Sequence, residues 1–265
     1  MDKTNYKVPT MAELASKGKT PELLLWIGCA GSYDERYKKV TKAFVKILNI
    51  ANVSFAVLGD EETCTGDPAR RAGNEFLFQM QAKANIQVLN GYQIKRIVTA
   101  CPHCYNTIKN EYPDLGGSYE VLHHSEFLEQ LIDNGKLIIG DNDEFNDIKI
   151  TYHDSCYLGR ANQIYEAPRK LITALRADLV EMNRHKQNGL CCGAGGAQMF
   201  KEPEQGEKDI NIERTEEALK TNAKIIASAC PFCMTMLSDG VKNKEQENAV
   251  KVMDIAELIA KSQKL

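Results

Sequence analysis

Ile97-Val-Thr-Ala-Cys-Pro-His-Cys104 and Ile226-Ala-Ser-Ala-Cys-Pro-Phe-Cys233 read as one segment written twice. Each is a β-branched and small-residue run, strand-like, that ends on a cysteine and turns through proline into a short helix. Working outward, the other cysteines follow the same duplication. Cys29 and Cys64 lie 35 positions apart, as do Cys156 and Cys191, and Cys64 to Cys101 is 37 positions against 39 from Cys191 to Cys230. Leu23-Leu-Leu-Trp-Ile-Gly-Cys29 matches Ile148-Lys-Ile-Thr-Tyr-His-Asp-Ser-Cys156, and Tyr119-Glu-Val-Leu122 matches Val250-Lys-Val-Met253, each of the latter followed by a helical stretch. A repeat of 127 to 129 residues therefore covers most of the 265-residue chain.

Within each repeat the elements alternate. The first half predicts strands over 23–28, 53–58 and 95–100. A helix is expected from Asp34 to Ile50, with Tyr37, Val40, Phe44, Ile47 and Leu48 on its apolar face. A longer one follows over Arg70–Tyr92, with Phe76, Met80, Ala84 and Leu89 on one side. The second half predicts helices near 167–177 and 211–222 and a strand near 178–183. That order calls for an α/β fold: two duplicated Rossmann-like halves, each a small parallel sheet flanked by helices. The expected division is a polar arm over 1–20, a first half over 21–143 and a second over 144–265, joined by the polar Asp141-Asn-Asp-Glu. Parallel sheets carry their sites beyond the carboxyl ends of the strands. Cys29, Cys101, Cys156 and Cys230 each follow a predicted strand, while Cys64 and the Cys191-Cys192 pair sit in the loop after another.

Nine cysteines grouped in this way point to thiolate ligands of a metal or cluster. The two Cys-Pro-x-Cys segments begin helices, whose free N–H groups favour negatively charged sulfur. A net charge of −3 makes no case for nucleic acid. Leu23–Ile27 is far too short to cross a bilayer, and Met1–Thr20 lacks the apolar core of a secretory signal, so a reducing cytoplasmic setting is expected. Cys101-Pro-His-Cys104 also has the form of an oxidising dithiol exchanger, but the further cysteines at matched distances have no place in such a site. Zinc and iron both accept a set of thiolates.

The cysteine pattern resembles the CCG-domain (cysteine-rich domain) proteins, which include the B subunit of heterodisulfide reductase and related subunits of lactate-utilisation and glycerol-phosphate dehydrogenase complexes. The second half carries the whole motif, Cys156, Cys191-Cys192-Gly193 and Cys230-Pro-Phe-Cys233. The first half departs from it at one place, with Cys64-Thr65-Gly66 where Cys-Cys-Gly is expected. The resemblance implies an iron–sulfur redox subunit of a multi-subunit oxidoreductase. It implies a 4Fe–4S cluster of non-cubane type on Cys156, Cys191, Cys192, Cys230 and Cys233, the catalytic set. Cys29, Cys64, Cys101 and Cys104 suffice for an ordinary 4Fe–4S cluster or for zinc. Electrons are expected from a ferredoxin-like iron–sulfur subunit or a flavoprotein, because the chain lacks the ferredoxin cysteine run. Membrane association would be peripheral, through those partners.

Around the cysteines, Gly66, Gly193 and Gly195 are expected to bring backbone close to the bound group. His153 is read as a donor tuning that group or as a hydrogen-bonded loop residue, and His123 and His124 likewise. Gly66-Asp67-Pro68 should turn the chain into a helix, and Arg70 and Arg71 are read as solvated surface, as partners of Asp67 or as facing a partner protein. Tyr157 is placed to shield the bound group or to meet a substrate.

Overall fold

A computed structural model describes residues 6–140, 144–202 and 205–265. Residues 1–5 of the expected arm and 141–143 of the expected join lie outside the described residues.

The first half runs α1 (Met11–Ala15), β1 (Leu23–Trp26), α2 (Gly28–Tyr33), α3 (Tyr37–Ile50), β2 (Phe55–Ala56), α4 (Asp67–Arg71), α5 (Glu75–Gly91), β3 (Arg96–Thr99), α6 (Pro102–Asn106), β4 (Glu120–His123) and α7 (His124–Asp133). The second runs β5 (Lys149–Tyr152), α8 (Glu166–Ala174), β6 (Asp178–Leu179), α9 (Ile210–Leu219), β7 (Ile225–Ser228), α10 (Pro231–Asn243), β8 (Lys251–Asp254) and α11 (Ile255–Ser262). Both sheets have four parallel strands in the same order, β2-β1-β3-β4 and β6-β5-β7-β8. The duplicated α/β reading holds down to strand order.

One continuous core joins the halves. It takes Leu25 and Val98 from one sheet, Ile150 and Ala227 from the other, and the facing sides of α3, α7, α8 and α11. Helix α3 packs on α11 and α7 on α8, so equivalent helices exchange places across an approximate two-fold. The outer faces are covered separately, by α5 and α6 on the first sheet and by α9 and α10 on the second. The predicted apolar face of α3 is buried along its whole length.

Three expectations need correction. The helix expected over 70–92 is two helices: Gly73 takes a left-handed φ of 87° and Asn74 caps α5 by accepting from the Leu77 N–H. The face of α5 is also different. Phe76 is 76 % and Met80 54 % exposed, and Ala84 is exposed, while Phe78, Ala82, Asn85, Ile86 and Leu89 are buried. The polar Asn85 lies at the centre of that face, which periodicity of apolar residues alone could not show. The edge strands β2 and β6 are only two residues long, shorter than expected.

Candidate metal centre

The parallel sheets deliver the cysteines to their carboxyl ends. Cys29 stands in the first turn of α2 just past β1, Cys101 caps α6 after β3, and Cys230 caps α10 after β7. In each Cys-Pro-x-Cys segment proline sits at the start of the helix, where a missing N–H costs no hydrogen bond.

In the second half all five sulfurs form one series of contacts. The Cys156 and Cys192 thiols both meet the Cys191 sulfur, Cys192 meets Cys233, and Cys233 meets Cys230. Three loops thus converge on one point. The Gly193 N–H donates to the Cys191 sulfur at 3.3 Å, with Gly193 at a φ of 92° that only glycine takes without strain. Those donors hold the Cys191 thiol well below its usual pKa, chiefly the hydrogen bonds from Cys156 and Cys192. Gly195, by contrast, faces open space.

The first half repeats the arrangement with four sulfurs. Cys29 meets Cys64, Cys101 meets Cys104, and all four line one cavity. The Gly66 N–H lies 3.5 Å from the Cys64 sulfur, and Gly66 has a φ of 89°. The hydrogen bond from Cys29, with that N–H and against burial, pulls the Cys64 thiol down to about 6. Thr65 takes the place of Cys192: its hydroxyl points to the Cys104 sulfur at 4.0 Å, as Cys192 meets Cys233.

The chain matches the family model of the cysteine-rich domain, CCG, over residues 23–109 and again over 150–238. It belongs to that family. This member is 49 % identical over 257 residues to the probable iron–sulfur-binding oxidoreductase FadF of Bacillus subtilis, a match covering 97 % of this chain and 36 % of that protein. It is 46 % identical to the EtfAB:quinone oxidoreductase of Syntrophomonas wolfei, covering 94 % and 35 %. With a subunit of the dihydromethanophenazine:CoB–CoM heterodisulfide reductase of Methanosarcina barkeri it shares 33 %, covering 91 % and 59 %. The CCG chain therefore spans about a third of the length of the first two relatives and somewhat over half of the third.

The two cysteine sets of this CCG protein touch. His103, inside the first Cys-Pro-x-Cys segment, hydrogen-bonds the Cys230 sulfur of the second half, and its ring packs on Phe232 at 4.7 Å and on Tyr157 at 4.4 Å. In return Phe232 lines the first-half cavity. Tyr157 therefore covers this junction and the Arg71 guanidinium rather than standing free. The Nδ1–H of His103 donates to Asp67 at 2.9 Å, and Arg71 donates to Asp67 at 3.0 Å. Asp67 is buried, and despite that desolvation His103 and Arg71 hold its pKa below the ordinary value. Arg70 and Arg71 also pair with Glu111, so neither is simply solvated surface. Gly66 does open α4, as the turn reading expects.

His153 is fully buried, and a ring nitrogen lies with the sulfurs of Cys192 and Cys233 in a group within 4.8 Å. Of the two readings of His123 and His124, the structure shows the hydrogen-bonded one. They sit buried at the β4–α7 junction, and their side-chain hydrogen bonds run to Ser125, to each other, to Asp254 and to the carbonyls of Ala100 and Ala229, not to sulfur, among the described residues.

Sequence reasoning missed three groups. The Glu62 carboxylate accepts from the Ile27 and Gly28 N–H groups at the turn before Cys29, and burial pushes its pKa up to about 7. Arg214 is fully buried behind His153. Asp154, two residues before Cys156, takes a buried two-pronged ion pair from Arg169. Each of these partners comes from a different element of its half, and spacing along the chain gives no sign of any of them.

Proposed function

We propose that the second half holds an iron–sulfur cluster on Cys156, Cys191, Cys192, Cys230 and Cys233, and that the chain is the redox subunit, or redox portion, of a larger oxidoreductase. It would pass electrons between a ferredoxin-like or flavoprotein partner and a disulfide, quinone or organic-acid-derived couple. The observation that carries this reading is the unbroken series of contacts among five sulfurs from three loops. A structural zinc site needs four ligands, so the fifth thiolate favours a cluster with a bridged or opened iron. The residues fit such a group. The site is largely buried, sulfur donors dominate it, and the Gly193 N–H already donates to a ligand sulfur.

A bound cluster supplies one-electron steps, which lets a two-electron bond cleavage proceed in halves. The chain's own residues bind and shield it: Cys230 and Cys233 are buried, while Cys156 and Cys191 stand at the more open side, where a partner or substrate would approach. Cys29, Cys64, Cys101 and Cys104 would hold a 4Fe–4S cluster that relays electrons, or zinc. The contact of His103 with Cys230 favours relay, because it places the first motif directly against a second-half ligand. The dithiol-exchange reading is weakened by the burial of Cys101 and Cys104, since an exchanging thiol must be reached by its substrate. Among the described residues no helix is long and apolar enough to cross a membrane. A cytoplasmic setting, with membrane contact only through partners, belongs to the same proposal.

Anaerobically purified protein should be brown and contain about four irons per filled site. Cys192→Ser should abolish turnover while leaving most first-half metal bound. Colourless protein with two zincs would overturn the reading. Loss of turnover in Cys104→Ser with retention in Cys192→Ser would reverse the roles of the halves.

A further inference from the structure

We propose that His153 is an N–H donor to the sulfur-bound group of the second half, its tautomer fixed by Arg214, and that it is not a metal ligand. The role as donor to a cluster rests on the function proposed above; the tautomer does not. By residue type alone, His153, Cys192 and Cys233 within 4.8 Å would pass for three ligands of a zinc ion. The hydrogen bonding rules that out. Arg214 Nε donates to His153 Nδ1 at 2.9 Å, and both side chains are fully buried. A guanidinium carries donors only, so Nδ1 must offer its lone pair, and the single ring proton belongs to Nε2. A metal-bound histidine normally donates its other N–H to an acceptor. Here the other nitrogen faces a donor, and ligation through Nε2 would demand an imidazolate.

Arg214 cannot easily swing away. Its Nη1 donates to the Arg184 carbonyl at 2.8 Å and to Glu217 at 2.9 Å, and Glu217 is held in turn by the Arg184 backbone N–H and Nε. His153 Nε2 has no hydrogen-bond partner among the described protein atoms, although it is fully buried. A buried donor left so beside Cys192 and Cys233 is one that a sulfide or thiolate would satisfy.

The repeat supplies an independent observation. Trp26 lies three residues before Cys29, as His153 lies three before Cys156. Trp26 pairs with Thr99 on β3, and His153, one residue past the pair Tyr152↔Ala227, stands at the row of Ser228, the β7 counterpart of Thr99. Trp26 packs in the same cluster as Cys101 and Cys104, and its indole N–H is likewise buried without a partner. Tryptophan cannot ligate a metal through that nitrogen, yet it offers the same kind of donor. What the two halves share at this position is a ring N–H.

The test has three arms. In uniformly 15N-labelled, metal-free reduced protein, His153 should show a pyridine-like Nδ1, a pyrrole-like Nε2, and a coupling across the hydrogen bond to Arg214 Nε. The reverse tautomer would overturn the assignment. In cadmium-113-loaded protein, no one-bond-type coupling should join the metal to His153 Nε2, and observing one would equally overturn it. In iron-loaded protein, His153→Phe should keep the iron of both halves and lower the second centre's midpoint potential. The expected change is about tenfold in the oxidised-to-reduced ratio at fixed potential, 59 mV for one electron, with partial recovery in His153→Gln. An unshifted potential, or selective loss of second-half iron, would overturn the donor role. Failure of the wild-type chain to bind iron would instead defeat the proposed function, and the nitrogen spectra would still decide the tautomer.

Discussion

Thr65 is the residue that makes the two halves chemically different. It occupies the place of Cys192, is 2 % exposed, and already points at the Cys104 sulfur, so a thiol there would enter a ready-made contact. Thr65→Cys should fold normally, within the ~1.5 kcal/mol typical of volume-conserving swaps. It should convert the first half to a five-sulfur site whose EPR spectrum approaches that of the second, and a spectrum identical to wild type would show that the fifth sulfur does not set cluster type. The neighbouring glycines divide in a similar way. An alanine Cβ at Gly66 would meet Phe78 at 2.8 Å on a backbone already at a φ of 89°, so Gly66→Ala should cost about 2–4 kcal/mol. Gly195→Ala, in open space, should stay within ~0.5 kcal/mol, with denaturant midpoints deciding both. Gly66 and Gly193 were legible from Cys-x-Gly in the sequence because the motif itself demands a tight turn at sulfur. The link from His103 to Asp67 and Cys230 was not, since it joins positions 36 and 127 residues apart.

Among the elements, α5 shows how a sequence period can be read correctly as helix and still be assigned the wrong face. Asn85 replaces an apolar core residue because it serves the loop it packs against. Its Nδ2 donates to the Cys64 carbonyl at 3.0 Å and to the Tyr112 hydroxyl at 3.1 Å, and its Oδ1 accepts from the Thr63 hydroxyl at 2.9 Å. The Tyr112 hydroxyl then donates to the Thr65 carbonyl. A helix is thereby used to hold the Cys64–Gly66 turn in shape. Asn85→Leu keeps the branched shape and removes these bonds, leaving buried polar groups unpaired at a cost of about 1–3 kcal/mol. The expected outcome is selective loss of first-half metal with the second half full, measured by metal analysis; equal loss from both halves would mean that α5 supports the whole molecule rather than this loop. Strand identity was legible because parallel buried strands are continuous apolar runs. The edge strands were overestimated because their registered pairing with β1 and β5 ends after two positions, and Val57 bridges Thr10 instead.

For the whole molecule, the duplication creates a seam at which the two equivalent helix caps meet. His123 caps α7 with Glu126 in a capping box, and Asp254 caps α11 with Glu257 in the same way. Across the seam His124 Nε2–H donates to Asp254 at 2.9 Å, and His124 Nδ1 lies 3.2 Å from His123 Nε2. His123 also reaches the carbonyls of Ala100 and Ala229, the residues immediately before Cys101 and Cys230. One buried polar chain thus underlies both cysteine motifs, on top of a hydrophobic core that neither half completes alone. Asp254→Ala removes the α11 cap, costing about 1 kcal/mol. It also strands the buried His124 N–H, at about a further 1–3 kcal/mol. Asp254→Asn, which still caps and accepts, should lose less than half as much. Because the core is continuous, both variants should unfold in a single cooperative transition, with the two metal sites emptied at the same denaturant concentration. Two separated transitions, with one site lost before the other, would mean that the halves are independent domains and that the seam only holds them side by side.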